Sequence, residues 1–262
     1  MSRAITSLSN PTVKAVRALH MRKAREESGR FLAEGLKIVT EAVELGRAPR
    51  ILLFGPDARG HPLLRQALAA TERAGGEALE VSREILGKIS RRENPQTVLA
   101  VFEQAFTPLG ALQPDKAPCW VALEAVRDPG NLGTIVRTAD AAGCGGVILV
   151  GECCDPFSVE AVRATMGSIF AVKIARATAA EFLAWRAGWP GTVVGTLLSA
   201  TTDFRAADYA RPALILMGNE QAGLTPELAS ACDVTVKIPM RGRADSLNLA
   251  VATGVMIYAA TS

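Results

Sequence analysis

The sequence predicts an α/β protein built in two parts, and three observations carry that reading. Apolar segments of strand length alternate with amphipathic helical stretches along the 262 residues. A stretch with three prolines and no period, FTPLGALQPDKAP (106–118), separates one alternating series from a second. The charge divides at nearly the same place: residues 1–110 hold 17 Lys/Arg against 12 Asp/Glu, whereas residues 111–262 hold 12 against 14. The expected organisation is a smaller α/β domain over 1–105, a linker over 106–118 and a second domain over 119–262.

In the first part, Asn10-Pro11 reads as an N-cap followed by proline at the first helical position, where a missing N–H costs nothing. Val13, Val16 and Leu19 then share one helical face. Leu36, Val39 and Val43 predict a second helix, stopped by Gly46. ILLF (51–54) is a short strand ending at Gly-Pro-Asp, and His61 to Ala74 is helical with Gly75-Gly76 as its stop. Ala78–Val81 and Val98–Phe102 are further strands, with Ser82 capping a helix between them. In the second part, strands are expected at Trp120–Glu124, Val147–Val150, Thr192–Thr196, Ala213–Met217 and Val234–Ile238. Helices are expected from Asn131, near Ser158 and from Leu247. Strands apolar throughout imply a parallel sheet covered on both faces. No internal repeat or low-complexity segment interrupts the pattern.

Composition narrows the class. Hydrophobic residues make up 49% and charged residues 21%, enough apolar material for a packed core. No apolar run reaches the ~18 residues of a membrane span, and the opening residues lack the apolar stretch of a signal peptide, so a cytosolic protein is expected. Cys119, Cys144, Cys153, Cys154 and Cys232 form no C-x-x-C and have no histidine nearby in sequence. Buried thiols are therefore expected, rather than a metal site or a disulfide framework. Residues 1–30 carry seven Lys/Arg against two acids. Within them HMRKAREESGR presents Arg22, Lys23, Arg25 and Arg30, either a phosphate-binding cluster or a solvated helix face.

In a parallel sheet, ligands collect at the carboxyl ends of the strands. Three such ends stand out: DPGNLGTIVRT after Leu123, MGNEQAGL (217–224), and IPMRGRADSLNLAVA (238–252). Each interrupts apolar sequence with glycine, amide or acid groups, which permit close backbone approach and neutral hydrogen bonding. None is a G-x-x-x-x-G-K-[ST] phosphate loop, and Gly143-Cys144-Gly145-Gly146 does not complete G-x-G-x-x-G. Taken singly, each loop is also compatible with an ordinary turn and helix cap.

Taken together they closely resemble something specific. N-L-G-T-I-V-R (131–137), G-N-E-Q-A-G-L (218–224), and I-P-M (238–240) with S-L-N-L-A-V-A-T-G (246–254) resemble, in order and spacing, the three motifs of the SpoU (TrmH-like) RNA ribose methyltransferases of the SPOUT class. RATMGSIF (163–170) is similar to a further segment of that family, and the resemblance spans about residues 118–260. More loosely, SLSNPTVKAVRAL and RKAREESGRFLAEG resemble the substrate-binding domain attached to some of these enzymes, a ribosomal-protein-L30-like α/β RNA binder.

The resemblance implies a C-terminal parallel sheet tied in a trefoil knot, a homodimer, and methyl transfer from S-adenosylmethionine to a ribose 2′-hydroxyl of structured RNA. Ribosomal RNA is favoured over tRNA by the accessory domain. A tRNA 2′-O-methyltransferase and a non-catalytic RNA-binding or ribosome-assembly protein are the alternatives. It implies Arg137 at the reacting hydroxyl, and the physics of guanidinium favours a cation that holds phosphate and stabilises the developing alkoxide over a proton acceptor. His20 and His61 lie outside the second half and are expected in surface or packing roles. Asn131 is implied as a helix cap or ribose contact, and Glu220 as a positioning group. Ser246 and Asn248 are implied as neutral donors before the last helix, with an N-cap by Ser246 as the alternative. The cofactor would lie against backbone of Gly218, Ile238 and Leu247, with Leu197, Met217 and Met240 as apolar walls. No metal is implied.

Overall fold

The computed structural model describes residues 3–262. In chain order the elements begin with β1 (Arg3–Ile5), α1 (Pro11–Ala18), α2 (Arg22–Ser28), β2 (Arg30–Glu34), α3 (Leu36–Glu44) and β3 (Ile51–Phe54). There follow α4 (Pro62–Arg73), β4 (Glu77–Val81), α5 (Arg83–Ser90), β5 (Val98–Glu103), β6 (Cys119–Glu124), α6 (Pro129–Ala141), β7 (Gly146–Val150) and α7 (Val159–Thr165). The chain closes with β8 (Lys173–Ala177), α8 (Ala179–Arg186), β9 (Val193–Thr196), β10 (Thr202–Asp203), β11 (Ala213–Met217), α9 (Pro226–Ser230), β12 (Val234–Lys237) and α10 (Leu249–Thr261). Two compact units result: the chain up to Gln104 together with Asp155–Phe170, and Ala105–Cys154 together with Ala171–Ser262.

The first unit holds a five-stranded sheet in the order β1-β4-β3-β5-β2. β4 runs parallel to β1 and β3, while β5 pairs antiparallel with β3 and β2. Asn10 caps α1 as expected, its side chain accepting from the Thr12 and Val13 amides. Val13 and Val16 of α1 join Leu53, Leu79, Ile85 and Leu99 in one apolar core. The segment 155–170, assigned by the sequence reading to the second domain, belongs to this unit because its aromatics complete a second core. Phe157 and Phe170 lie 4.9 and 5.8 Å from the Phe31 ring, and Phe170 meets Phe102 at 4.6 Å. Buried charge reinforces the attachment. Arg163 donates to Glu34 at 2.8 Å, and Arg25 donates to Asp155 at 2.7 Å.

Both histidines serve structure. The His61 side chain accepts from the Leu63 amide at the start of α4. His20 Nε2 lies 2.7 Å from the Ile89 carbonyl, which can only accept, so this nitrogen carries the proton. Burial lowers the His20 pKa from 6.5, with Arg91 and Arg25 acting the same way and the Ile89 carbonyl and Glu34 opposing. The folded chain thus binds fewer protons than the unfolded one as the pH drops. Its contribution to stability is present above the unfolded value of 6.5 and is lost as pH falls through the lower folded value. Melting temperatures between pH 7.5 and 5 are expected to fall more steeply for the wild type than for His20→Gln; parallel curves would contradict this.

The second unit holds a seven-stranded sheet in the order β10-β12-β9-β11-β6-β7-β8, parallel at every pairing. β6, β7 and β11 are buried along their whole length, as continuous apolar runs require when both faces are covered. α6 and α10 pack together, and α10 also contacts β6 and β11. Trp120, Phe182, Leu214, Leu216 and Leu228 form a core to which α8 and α9 contribute. The stretch 106–118 is more than a tether: Leu112 is buried in that core, Trp120 Nε1 donates to the Pro114 carbonyl at 3.1 Å, and the Thr107 amide donates to Ile174 at 2.8 Å. Among the described residues no helix is long and apolar enough to cross a membrane.

Two helix starts differ from expectation. α6 begins at Pro129 and is capped by Asp128, not Asn131, because the proline takes the first helical position and the preceding carboxylate accepts from the Asn131 amide. α10 begins at Leu249 and is capped by Asn248, not by Ser246.

Candidate active site

The strand ends at β6, β11 and β12 carry the loops singled out by sequence. β6 closes on Glu124, buried at 8% exposure, whose Oε2 accepts from the Thr225 amide at 2.8 Å and so anchors the far end of the loop after β11. The next residue, Ala125, takes a left-handed φ of 48°, uncommon for a residue with a side chain. Its amide donates to the Val150 carbonyl at 3.0 Å, and its carbonyl accepts from Asn219 Nδ2 at 2.8 Å. The loop 218–224 folds on itself. Asn219 and Gly223 exchange backbone bonds of 3.1 and 2.9 Å, and the Asn219 carboxamide accepts from the Gln221 and Ala222 amides. Gly218 is buried where a Cβ would overlap the Gly223 carbonyl carbon and the Leu224 nitrogen, so no larger residue fits that crossing.

Since Asp128 does the capping, the Asn131 side chain is released for other work. Its Nδ2 donates to Glu220 Oε1 at 3.2 Å, and its Oδ1 accepts from Asn248 Nδ2 at 2.9 Å. Asn248 Oδ1 meanwhile accepts from the Ala250 and Val251 amides. One amide thereby caps α10 and orients the first-motif asparagine, and side chains from all three loops meet. These three residues, with Arg127, Asp128, Asn219 and Gln221, line a cavity of about 370 Å³. A ring of four amides with two carboxylates and one guanidinium can hold hydroxyl and phosphate groups together.

The other expected residues stand around this cluster in different states. Arg137 is exposed on α6, its side chain makes no hydrogen bond or ion pair among the described residues, and it is not in the cavity lining. Ser246 and Leu247 are exposed on the loop before α10. Met217 is buried at the end of β11, and Leu197, Ile238 and Met240 are half-buried beyond β9 and β12. At the end of β9, Thr196 Oγ1 is buried without a hydrogen-bond partner among the described residues, a polar atom suited to a bound group. The Thr196 hydroxyl and the half-buried apolar residues fit a nucleoside-bearing cofactor laid against backbone.

In the first unit, Arg22 and Lys23 are exposed on α2 with Glu26 and Glu27 as ion-pair partners, and Arg30 is exposed at the start of β2. Arg25 departs from the sequence expectation. It is 4% exposed, committed to Asp155 and the Leu19 carbonyl, and cannot reach RNA. Sequence reasoning missed Arg127, Asn219, Glu124 and Thr196. Glu124, an acid closing an otherwise apolar strand, was the visible cue.

The model of the SpoU rRNA Methylase family matches residues 118–258, and that of the MRM3-like substrate binding domain matches residues 10–100. A crystal structure of an AdoMet-bound rRNA methyltransferase from Sinorhizobium meliloti is similar at 50% identity and a TM-score of 0.92, covering 99% of this chain and 97% of that one. The 23S rRNA (uridine(2479)-2′-O)-methyltransferase of Streptomyces viridochromogenes is 32% identical over 91% of this chain and 85% of its own length. The 23S rRNA (guanosine(2553)-2′-O)-methyltransferase of Bacillus subtilis is 29% identical over 97% of both.

Proposed function

The chain belongs to the SpoU rRNA methylase family, and from that premise we propose that it methylates a ribose 2′-hydroxyl of ribosomal RNA, with S-adenosylmethionine as donor. The observation that carries the reading is the Asn131–Glu220–Asn248 network, which gathers the three motif loops at the carboxyl ends of a parallel sheet. Ribosomal RNA is favoured over tRNA because relatives named as 23S rRNA methyltransferases match both halves of the chain.

When bound, the donor supplies a methyl group on a sulfonium, electrophilic without further activation. Backbone at Gly218, Ile238 and Leu247 would hold it, with Leu197, Met217 and Met240 as walls. The chain's remaining task is to position a hydroxyl and stabilise the charge it gains. Asn131, held from both sides, presents a fixed amide to the ribose, and Glu220 and Asn248 keep it there. Ser246 offers a further neutral donor. Arg137 supplies the guanidinium that binds phosphate and stabilises the oxygen as its proton leaves to phosphate or water. Arg127, exposed at the cavity, adds a second cation for the backbone.

Three further statements belong to this reading. The C-terminal segment is threaded as a trefoil knot; its support is that β12 lies outside β9 while α10 returns to β6 and β11. The protein works as a homodimer, for which Val251 and Tyr258, each 53% exposed on α10, offer an apolar face. The first unit is an L30-like substrate-binding domain whose exposed cations include Arg22, Lys23 and Arg30, and the enzyme acts in the cytosol. Ribose-methylation mapping of total RNA from cells with and without the gene is expected to lose one site in ribosomal RNA. Unchanged ribosomal RNA with a site lost from tRNA would move the assignment, and no lost site anywhere would end it.

A further inference from the structure

The first unit carries a groove of about 690 Å³ with an uneven charge. Its lining includes Arg17 from α1, Arg83 and Lys88 from α5, and Arg91 and Arg92 from the turn beyond α5. Glu84 and Glu93 are its acids, and among the described residues neither forms an ion pair. The side chains of Arg17, Lys88 and Arg91 are exposed and make no hydrogen bond or ion pair among the described residues. Arg83 makes one long bond to Asn94 at 3.4 Å, and Arg92 stands 4.0 Å from Glu34.

Helix electrostatics does not account for this gathering. Cations at the C-terminal end of α5 are favoured by the helix dipole, which covers Lys88 and the turn beyond it. Arg83 stands at the first position of the same helix, where the dipole disfavours a cation. The backbone bends to the same end. Arg91 adopts a left-handed φ of 56°, a conformation that favours glycine or asparagine, yet arginine occupies it. The Arg91 and Arg92 amides both donate to the Gly87 carbonyl, which turns the chain back beside α5. Gly87 belongs to the lining, and a Cβ there would come within 3.1 Å of the Arg92 carbonyl oxygen.

We infer that this groove between α1 and α5 is the RNA-docking surface of the first unit, gripping the sugar–phosphate backbone. The volume far exceeds what one inorganic anion needs. The lining holds no Phe, Tyr or Trp, so no aromatic platform stacks bases there, and recognition falls on phosphate charge and backbone shape. The two carboxylates accept from ribose 2′-hydroxyls or exocyclic amines, which RNA offers and a bare anion does not. The inference rests on the ribosomal RNA methylation proposed above, and adds where the substrate is held.

The test uses the full chain and unmodified 23S rRNA transcribed in vitro. Arg17→Ala/Lys88→Ala/Arg91→Ala is compared with Arg47→Ala/Arg65→Ala/Arg73→Ala, which removes three exposed cations of the same unit from outside the groove. The groove variant is expected to raise KM for the transcript at least about tenfold and to flatten the salt dependence of binding by a log–log slope of about 2–3. Its kcat and its affinity for S-adenosylmethionine stay at wild-type values. An unchanged KM, or an equal loss in both variants, overturns the inference. If the wild type methylates no ribosomal RNA, the functional reading fails by itself. Filter binding of the transcript then still decides the groove: selective loss in the groove variant upholds it, and wild-type retention overturns it.

Discussion

Arg137→Lys is expected to lower methyl transfer by about a hundredfold or more, as removal of an oxyanion-stabilising donor does elsewhere, while S-adenosylmethionine binding stays unchanged. The geometry explains why charge alone does not suffice. Asn131 is anchored to Glu220 and Asn248, so the face of α6 that turns to the cavity is fixed. Arg137 follows six residues later, about 120° around the helix from it, its side chain exposed and without a partner among the described residues. In the proposed reaction such a guanidinium is available for an external anion. A planar fork can engage a phosphate oxygen and the ribose oxygen at once, whereas an ammonium on a flexible stem offers a single point of charge. Methyl incorporation into ribosomal RNA, with calorimetry for the donor, reads both halves of the prediction. Wild-type turnover in the lysine variant, or donor affinity lost in step with activity, removes Arg137 from the reaction.

The largest expected stability effect lies at Arg25. Breaking a buried pair by removing one partner typically costs about 3–5 kcal/mol, because the other charge stays buried. Arg25 and Asp155 side chains are 4% and 13% exposed, and Arg25 also satisfies the Leu19 carbonyl. Arg25→Ala should therefore lower the unfolding free energy by an amount of that order, measured by urea denaturation. Arg22→Ala, on the exposed side of the same helix, should cost no more than about 1 kcal/mol. Arg25→Ala/Asp155→Ala should recover part of the loss, because the stranded carboxylate is gone. An Arg25→Ala variant of wild-type stability but weakened RNA affinity would restore that residue to the binding surface and contradict the buried-pair account.

Arg25 also marks how far sequence can be read. The strands at 51–54 and 213–217 fall where their apolar runs predict, since continuous burial leaves an unambiguous pattern. β8, with Lys173 and Arg176 exposed in a strand at the sheet's edge, has no such run and escapes notice. α2 reads as a charged surface because six of its seven residues are polar or charged, and only the fold reveals that one arginine turns inward. At the site, the resemblance to the SpoU motifs pointed to Asn131, Glu220 and Asn248, yet their mutual bonds follow from a cap that moved to Asp128. Glu124 and Asn219 act by bracing a loop against distant backbone, which spacing cannot reveal.

The aromatic contacts of Phe157 and Phe170 bear on how such proteins can be recombined. A gene severed after residue 104 would yield a sheet with Phe31 and Phe102 stripped of their covering rings. Cut at that point, the leading portion therefore lacks part of its own core. Swapping it between relatives requires carrying a second, non-adjacent fragment along, and chimaeras joined only at the proline-rich stretch should inherit mismatched halves of one core.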